Sequence, residues 1–396
     1  MRPLMLTTVL LLSASCAAME TVTFRQMLPS PRPGGPPVAG PEVTATGQVL
    51  ARDSAGGVFL EAQDGELHLV AAQDVLATKR DDTEFVALTH DELGERLLAD
   101  YPEGFRTHTT EHYVIAYDTS REYAEWTSSL LERLYDALTR YWKKQGIEIT
   151  EPRFPLPIVI HRSSTAYQVA SRREGVGAGA VGYYHISSNR VRMFDLTGSD
   201  ELRSSGEGAR RGSRREITRM LSTPVAEPLV ATIVHEATHQ VAFNTGIMQR
   251  MAELPLWYVE GMAVYFEAPD AGSSRGWRGI GKVNYRRLAT FRRNLPNWNE
   301  GTLRNLIATD KPLRDPRTAG NAYADAWALN YFLIKRRSKQ YAEFVKEMAE
   351  KSPISSGPAA RMTAEEKAQA RLDTFTKHFG DLGEVQQDLL KMMSRL

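Results

Sequence analysis

A single cysteine, Cys16, stands in a chain of 396 residues, so neither a disulfide framework nor a cysteine-based metal site is available to it. Charge of one sign is equally scarce: 49 lysines and arginines face 48 aspartates and glutamates, for a net charge of +1. So close a balance creates no broad field, which excludes nucleic acid as the default partner and gives no attraction to an anionic membrane surface. Long apolar runs are missing as well. The stretch from Leu4 to Leu12 falls short of the ~20 apolar residues a bilayer-spanning helix needs, and no other stretch approaches that length. What remains is 42% hydrophobic and 24% charged, an ordinary globular composition long enough for a sizeable core and a small accessory domain.

The apolar stretch at the N-terminus follows Arg2 and precedes the small residues from Ser13 to Ala18, which is the layout of a secretory signal. Residues 1–18 are therefore expected to direct export, to the periplasm, the cell envelope or the extracellular space. Cys16 lies where the apolar region ends and resembles the lipidated cysteine of bacterial lipoproteins, although Ser13 stands where that pattern prefers an aliphatic residue. Lipidation at Cys16 and plain cleavage after Ala17 or Ala18 both fit this stretch, and a lipid anchor there would be the only membrane attachment. Oligomeric state leaves no mark in the sequence.

Residues 19–41, with "MLPSPRPGGPPVAGP", read as a Pro/Gly-rich linker that would suit a tether. Apolar and polar residues alternate over 42–82, between the turn signals Ser54-Ala55-Gly56-Gly57 and Asp64-Gly65, and predict a small antiparallel β module of three or four strands. His68 in this module reads as a surface or paired residue. From about Leu93 the pattern changes. "HYVIAYDT" and "PLPIVIHR" predict buried strands, separated by a helix opened by Thr119-Ser120 and closed by Gly146. "AVGYYHISSNRVRMFDL" predicts a strand, or a hairpin turning near Ser187-Ser188-Asn189. Residues 198–227 are rich in Gly, Ser and Arg and read as a mobile insertion.

Pro228 then opens an apolar helix ending at Asn244-Thr245-Gly246, and Pro255 opens a second, running to about Glu267. Beyond it a loop rich in Gly, Arg and Asn leads to the helices of "NAYADAWALNYFLIKRR" and "QYAEFVKEMAEK" and a helical tail. The first of the two apolar helices contains "HEATH". His235 and His239, four apart, project from one helix face one turn above each other and can grip one ion. Glu236, beside the first histidine, can reach a water on the open side of that ion, the arrangement a hydrolytic zinc site uses. Chance alone puts such a motif in roughly one chain in a hundred of this composition, so its context matters. Two imidazoles and a carboxylate would be costly to bury mid-helix with nothing to bind. A third ligand candidate, Glu260, opens "EGMAVYFE" on the second helix.

"HEATHQVAFN" followed by "WYVEGMAVYFE" resembles the gluzincin zinc metallopeptidases and, within them, the aminopeptidase N branch, with Asn244 at a matching place. The stretch from about Thr107 to Gly380, including "EHYVIAYDT" and "AYADAWALNYFL", also resembles a family of exported bacterial proteins known as domain of unknown function 1570. The resemblance implies one zinc ion held by His235, His239 and Glu260, Glu236 as general base, and Tyr323 as the donor to the oxyanion. It implies an α+β fold: a zincin-like catalytic subdomain over 93–268, with a mixed sheet, an edge strand and the zinc helix, then a helical C-terminal subdomain over 269–396. An extended peptide would pair with the edge strand between Ala180 and Phe194, against Gly182, Tyr183, Tyr184 and His185.

The departures are specific. The Gly-x-Met-x-Asn segment with which aminopeptidase N relatives hold a free amine is replaced by "GAGAVGYYHISSN", so exopeptidase action is unsupported. Thermolysin-like relatives place an aspartate where Ala263 and Val264 occur, so the histidines are expected to lean on Glu267 or a backbone carbonyl instead. Trp257 and Tyr258 read as core packing, and His90, His108, His112, His161 and His378 as structural. The sequence therefore points to an exported zinc endopeptidase acting on peptide or protein. Two alternatives remain: a non-catalytic envelope protein on a peptidase-like fold, which the presence of Glu236 disfavours, and a zinc hydrolase of a non-peptide amide or ester.

Overall fold

The computed structural model describes residues 18–28, 30, 35–177, 180–204, 212–268, 280–353 and 361–396. The expected signal, apart from Ala18, and Cys16 with it, lie outside the described residues. The fold is α+β and divides into two compact units, residues 1–128, 152–220 and 355–360 forming the first and 129–151, 221–354 and 361–396 the second.

The first unit opens with an antiparallel sheet of β1 (Ala18–Leu28), β2 (Val38–Arg52), β3 (Val58–Ala62), β4 (Leu67–Val70) and β5 (Val75–Glu84), in the order β4-β3-β2-β1-β5. This corrects the reading of 19–41 as a linker. Met19 to Leu28 pairs with β2 from Met19↔Gln48 to Leu28↔Val38, and the prolines begin only at Pro29. The alternating Val22 and Phe24 bury against Val58, Leu60 and Val70, which gives β1 its inward face. Both expected turns form, and each places a glycine at positive φ, Gly56 at 97° and Gly65 at 80°.

Next come α1 (His90–Asp100) and a mixed sheet of β6 (Arg106–Thr109), β7 (Tyr113–Tyr117), β8 (Leu156–His161), β9 (Gly182–His185) and β10 (Arg190–Phe194), in the order β6-β7-β8-β10-β9. The inner strands β7, β8 and β10 run parallel and are buried along their whole length, which is why they read as unbroken apolar runs. Their crossovers carry α2 (Arg121–Lys144) and α3 (Ser164–Arg173). β9 and β10 form the hairpin alternative, turning through Asn189 at φ 59°. Within 198–227, read from the sequence as a mobile insertion, the described parts include two helices, α4 (Asp200–Ser204) and α5 (Arg214–Leu221), and Leu202, Ile217 and Leu221 are buried. Residues 205–211 lie outside the described residues.

In the second unit, α6 (Glu227–Asn244) and α7 (Leu256–Phe266) match the two apolar helices read from the sequence. Pro228 stands in the first turn of α6, where its missing N–H has no partner to lose. The helix closes at Gly246, at φ 81°, where Met248 N–H reaches back to Ala242 O at 2.9 Å. The loop expected after residue 268 instead contains α8 (Tyr285–Asn294), α9 (Glu300–Ala308) and α10 (Lys311–Arg314), with residues 269–279 outside the described ones. Then follow α11 (Ala319–Arg336), α12 (Ser338–Ala349), α13 (Ala364–Phe379) and α14 (Leu382–Met393).

α7 is the centre of this unit. Trp257, Tyr258, Met262, Tyr265 and Phe266 are all buried, each contributing about 1.5–3 kcal/mol by removal from water. Its first N–H, from Leu256, donates to Asp310 Oδ1, which Arg371 of α13 holds at 2.8 Å. Trp257 O accepts from Asn330 Nδ2 of α11 at 2.9 Å. The two helices meet at Gly261, where an added Cβ would stand 2.0 Å from Asn330 Nδ2 and 2.7 Å from Ala326 O. Gly261→Ala must therefore push α7 and α11 apart. We expect it to destabilise the protein by about 1–3 kcal/mol, measured by thermal or urea denaturation, and a wild-type melting curve would refute this packing.

Candidate metal centre

His235 and His239 lie on the inner face of α6, and Glu260 faces them from α7. His235 Nε2 is 3.1 Å from His239 Nε2 and 3.1 Å from Glu260 Oε2, and His239 Nε2 is 3.6 Å from the same oxygen. Ligand atoms held ~2.0–2.2 Å from a tetrahedral centre stand about 3.3–3.6 Å from one another, so the observed triangle has the size a zinc-like ion requires. Among the described residues this is the one group of three or more His, Cys, Asp or Glu side chains that could hold a metal ion. Both histidine side chains are 9% exposed and Glu260 is 16% exposed, so all three are largely shielded from solvent.

The other face of His235 is fixed. Its Nδ1 lies 2.9 Å from Glu267 Oε2, at the C-terminal end of α7, so Nδ1–H donates to that carboxylate and Nε2 faces the cluster. This is the glutamate support expected from the sequence. Glu267 Oε1 in turn accepts from Arg287 Nε at 3.1 Å and Asn284 Nδ2 at 3.2 Å, both at the start of α8. Sequence reading missed these two residues, because α8 was taken for loop. The signal was present in Asn284 as a helix cap, accepting from Arg287 N–H, and in Leu288 and Phe291, spaced to bury together.

Residues 229–355 match the family described as "Protein of unknown function (DUF1570)". The match spans roughly a third of the chain and takes in every side chain of the cluster. It is narrower than the stretch from Thr107 to Gly380 expected to resemble that family, since it includes "AYADAWALNYFL" and leaves out "EHYVIAYDT". No curated protein matches the chain.

Tyr323, on α11, joins the same cluster. Its ring centroid is 6.2 Å from that of His235, its hydroxyl bonds to Glu260, and the Arg287 guanidinium lies 5.5 Å from its ring centroid. Burial, with the charges of Glu260 and Glu236, holds the phenol well above its ordinary pKa, so it is a proton donor at neutral pH. Glu236 is half-buried on α6, and its charge is felt by both His235 and Tyr323. Gly182, Tyr183, Tyr184 and His185 belong to the first unit, on the edge strand β9. Tyr183 hydroxyl donates to Glu174, Tyr184 hydroxyl to Asn189, and His185 Nδ1 meets Ser188 Oγ. Of the other histidines, His378 pairs with Glu347, His90 with Glu111 O and His108 with Ser128.

Burial works against a charge on His235, yet its bonds to Glu260 and Glu267 and the fields of Glu236 and Glu267 push its pKa up to about 10. Burial likewise opposes charge on Glu260 and Glu267, but the two histidines hold the first well below 4.5, and His235 with Arg287 lowers the second. The attraction is shared, so the metal-free cluster loses it at either end: as acid titrates the carboxylates below 4.5, and as base neutralises His235 near 10. A metal ion must displace the His235 proton. At pH 7, zinc titration followed by calorimetry in buffers of different ionisation enthalpy should show about one proton released per ion, with affinity rising as pH rises. Glu260→Ala should abolish stoichiometric binding; full zinc occupancy in that variant would exclude this ligand set.

Proposed function

We propose that the protein is an exported zinc-dependent endopeptidase acting on peptide or protein substrates. The observation that carries this reading is the convergence of three donors from two adjacent helices, with the far nitrogen of His235 already engaged by Glu267. A peptidase-type identity rests on the resemblance of "HEATH" and "EGMAVYFE" to gluzincin motifs, and export on the N-terminal signal pattern.

His235, once it gives up a proton, and His239 would each offer Nε2, and Glu260 a carboxylate oxygen, to one ion. When bound, zinc supplies Lewis acidity toward water and the scissile carbonyl. The Glu236 carboxylate accepts a proton from the attacking water and passes it to the leaving amine. The Tyr323 hydroxyl donates to the oxygen on which negative charge develops, and its raised pKa keeps that proton in place through neutral pH. Retention of Glu236 favours this reading over a binding protein on the same fold, since a site that only holds metal has no use for a base beside it.

Two substitutions separate the roles. Glu236→Gln should keep full zinc occupancy while lowering kcat on casein by about 10²–10⁴-fold. Tyr323→Phe should keep zinc and lower kcat by roughly 10²–10³-fold, with KM nearly unchanged. Wild type that holds zinc yet cleaves neither casein nor a panel of small amides and esters would sink the enzymatic reading in favour of a binding role. Cleavage of the small esters alone would move the assignment to a non-peptide hydrolase.

A further inference from the structure

Glu267 has two oxygens and divides its partners between them. Oε2 faces His235 Nδ1 at 2.9 Å, whereas Oε1 takes Arg287 Nε and Nη2, each at 3.1 Å, and Asn284 Nδ2 at 3.2 Å. A buried carboxylate with one partner could rotate its oxygens freely; three donors on Oε1 hold the group in one orientation. That orientation matters because His235 can aim Nε2 at the cluster only if Nδ1 carries the hydrogen, and a fixed acceptor opposite Nδ1 selects that arrangement. The donors are themselves anchored. Asn284 uses its side-chain oxygen to accept from Arg287 N–H at 3.1 Å and its amide nitrogen to reach Glu267, so the first turn of α8 is tied to the carboxylate.

Arg287 also reaches the other side of the site. Its guanidinium lies 5.5 Å from the Tyr323 ring centroid, and that ring stands beside His235. The side chain is 22% exposed, so this is a packed group and not a surface charge passing by.

We propose that Arg287 is a positioning residue of the metal centre: its fork fixes Glu267 so that one oxygen is kept for His235, and its planar face braces the ring of Tyr323. This rests on the metal-site reading above. A lysine could supply the charge but neither the planar fork nor the flat stacking surface. Because Arg287 reaches His235 only through Glu267, its effect on metal binding should vanish when Glu267 can no longer accept as a carboxylate.

The test is a double-mutant cycle on metal binding by the full-length protein: wild type, Arg287→Met, Glu267→Gln and the double variant. Zinc Kd is measured by competition with a chromophoric chelator, and cobalt(II) serves as a spectroscopic probe of ligand geometry. We expect each single substitution to weaken zinc binding about 10–100-fold and to alter the visible cobalt spectrum. The double variant should bind no more weakly than the poorer single. Zinc affinity and a cobalt spectrum unchanged in Arg287→Met would overturn the proposal, as would a double variant in which the two losses multiply. If Arg287→Met does not fold, judged by circular dichroism, Arg287→Lys takes its place in the same cycle with the same criteria. Failure of wild type to bind zinc at all would instead remove the metal reading, and this inference with it.

Discussion

Two imidazoles and two carboxylates are packed between helices that are otherwise apolar, and this burial is the constraint to which the surrounding structure answers. A charge buried without a partner costs several kcal/mol, so every member of the group must be matched. The matching is complete on the His235 side: Nε2 faces Glu260, Nδ1 faces Glu267, and the second oxygen of Glu267 faces Arg287 and Asn284. The charge that begins on α6 is thereby matched across α7 by Arg287 of α8, a largely packed side chain. Without that chain of partners, α6 and α7 could not both be helices of the core.

Fixing the donors to within a few tenths of an ångström also demands a stiff frame, and α7 receives it from three directions. Asp310 and Arg371 hold its first turn, Asn330 holds the carbonyl of Trp257, and Gly261 lets α11 approach at backbone distance beside Glu260. Asn330 is itself held, since the Tyr341 hydroxyl donates to its oxygen. Tyr323 rides on the same α11, so the residue that bonds Glu260 and Asn330, which holds the Trp257 carbonyl, belong to one helix.

How much of this was readable in the sequence depended on whether the signal was local. The bounds of α6 and α7 followed from Pro228, Gly246 and Pro255, and the convergence of His235, His239 and Glu260 from a four-residue spacing plus one glutamate on the next helix. The α+β character was equally plain, because parallel strands buried on both faces read as apolar runs. What failed was, first, a segment whose polarity is satisfied by a distant partner. Asn284 and Arg287 sit in a stretch of arginines and asparagines that looks like solvated loop, and only the buried carboxylate of Glu267 explains them. Strand β1 failed for the opposite reason: its alternation, Val22 and Phe24 against threonines and charges, was overshadowed by the prolines that follow it. For α8 the missing information was a tertiary contact about twenty residues away; for β1 it was local and present.

Stability does not account for this cluster. Replacing a buried ionic group by well-packed apolar residues of similar volume is often neutral or stabilising by about 1–4 kcal/mol, so a chain selected only to fold would gain by filling the space with leucine. The same holds for Tyr323, whose buried hydroxyl is directed at Glu260 when a phenylalanine would pack as well. Nor does the cluster need a metal in order to be tolerated, since His235, carrying its proton, already bridges Glu260 and Glu267. A buried ionic group that aims three donors at one point, where apolar packing would often serve stability as well, fits the proposed metal-binding role better than a purely structural one.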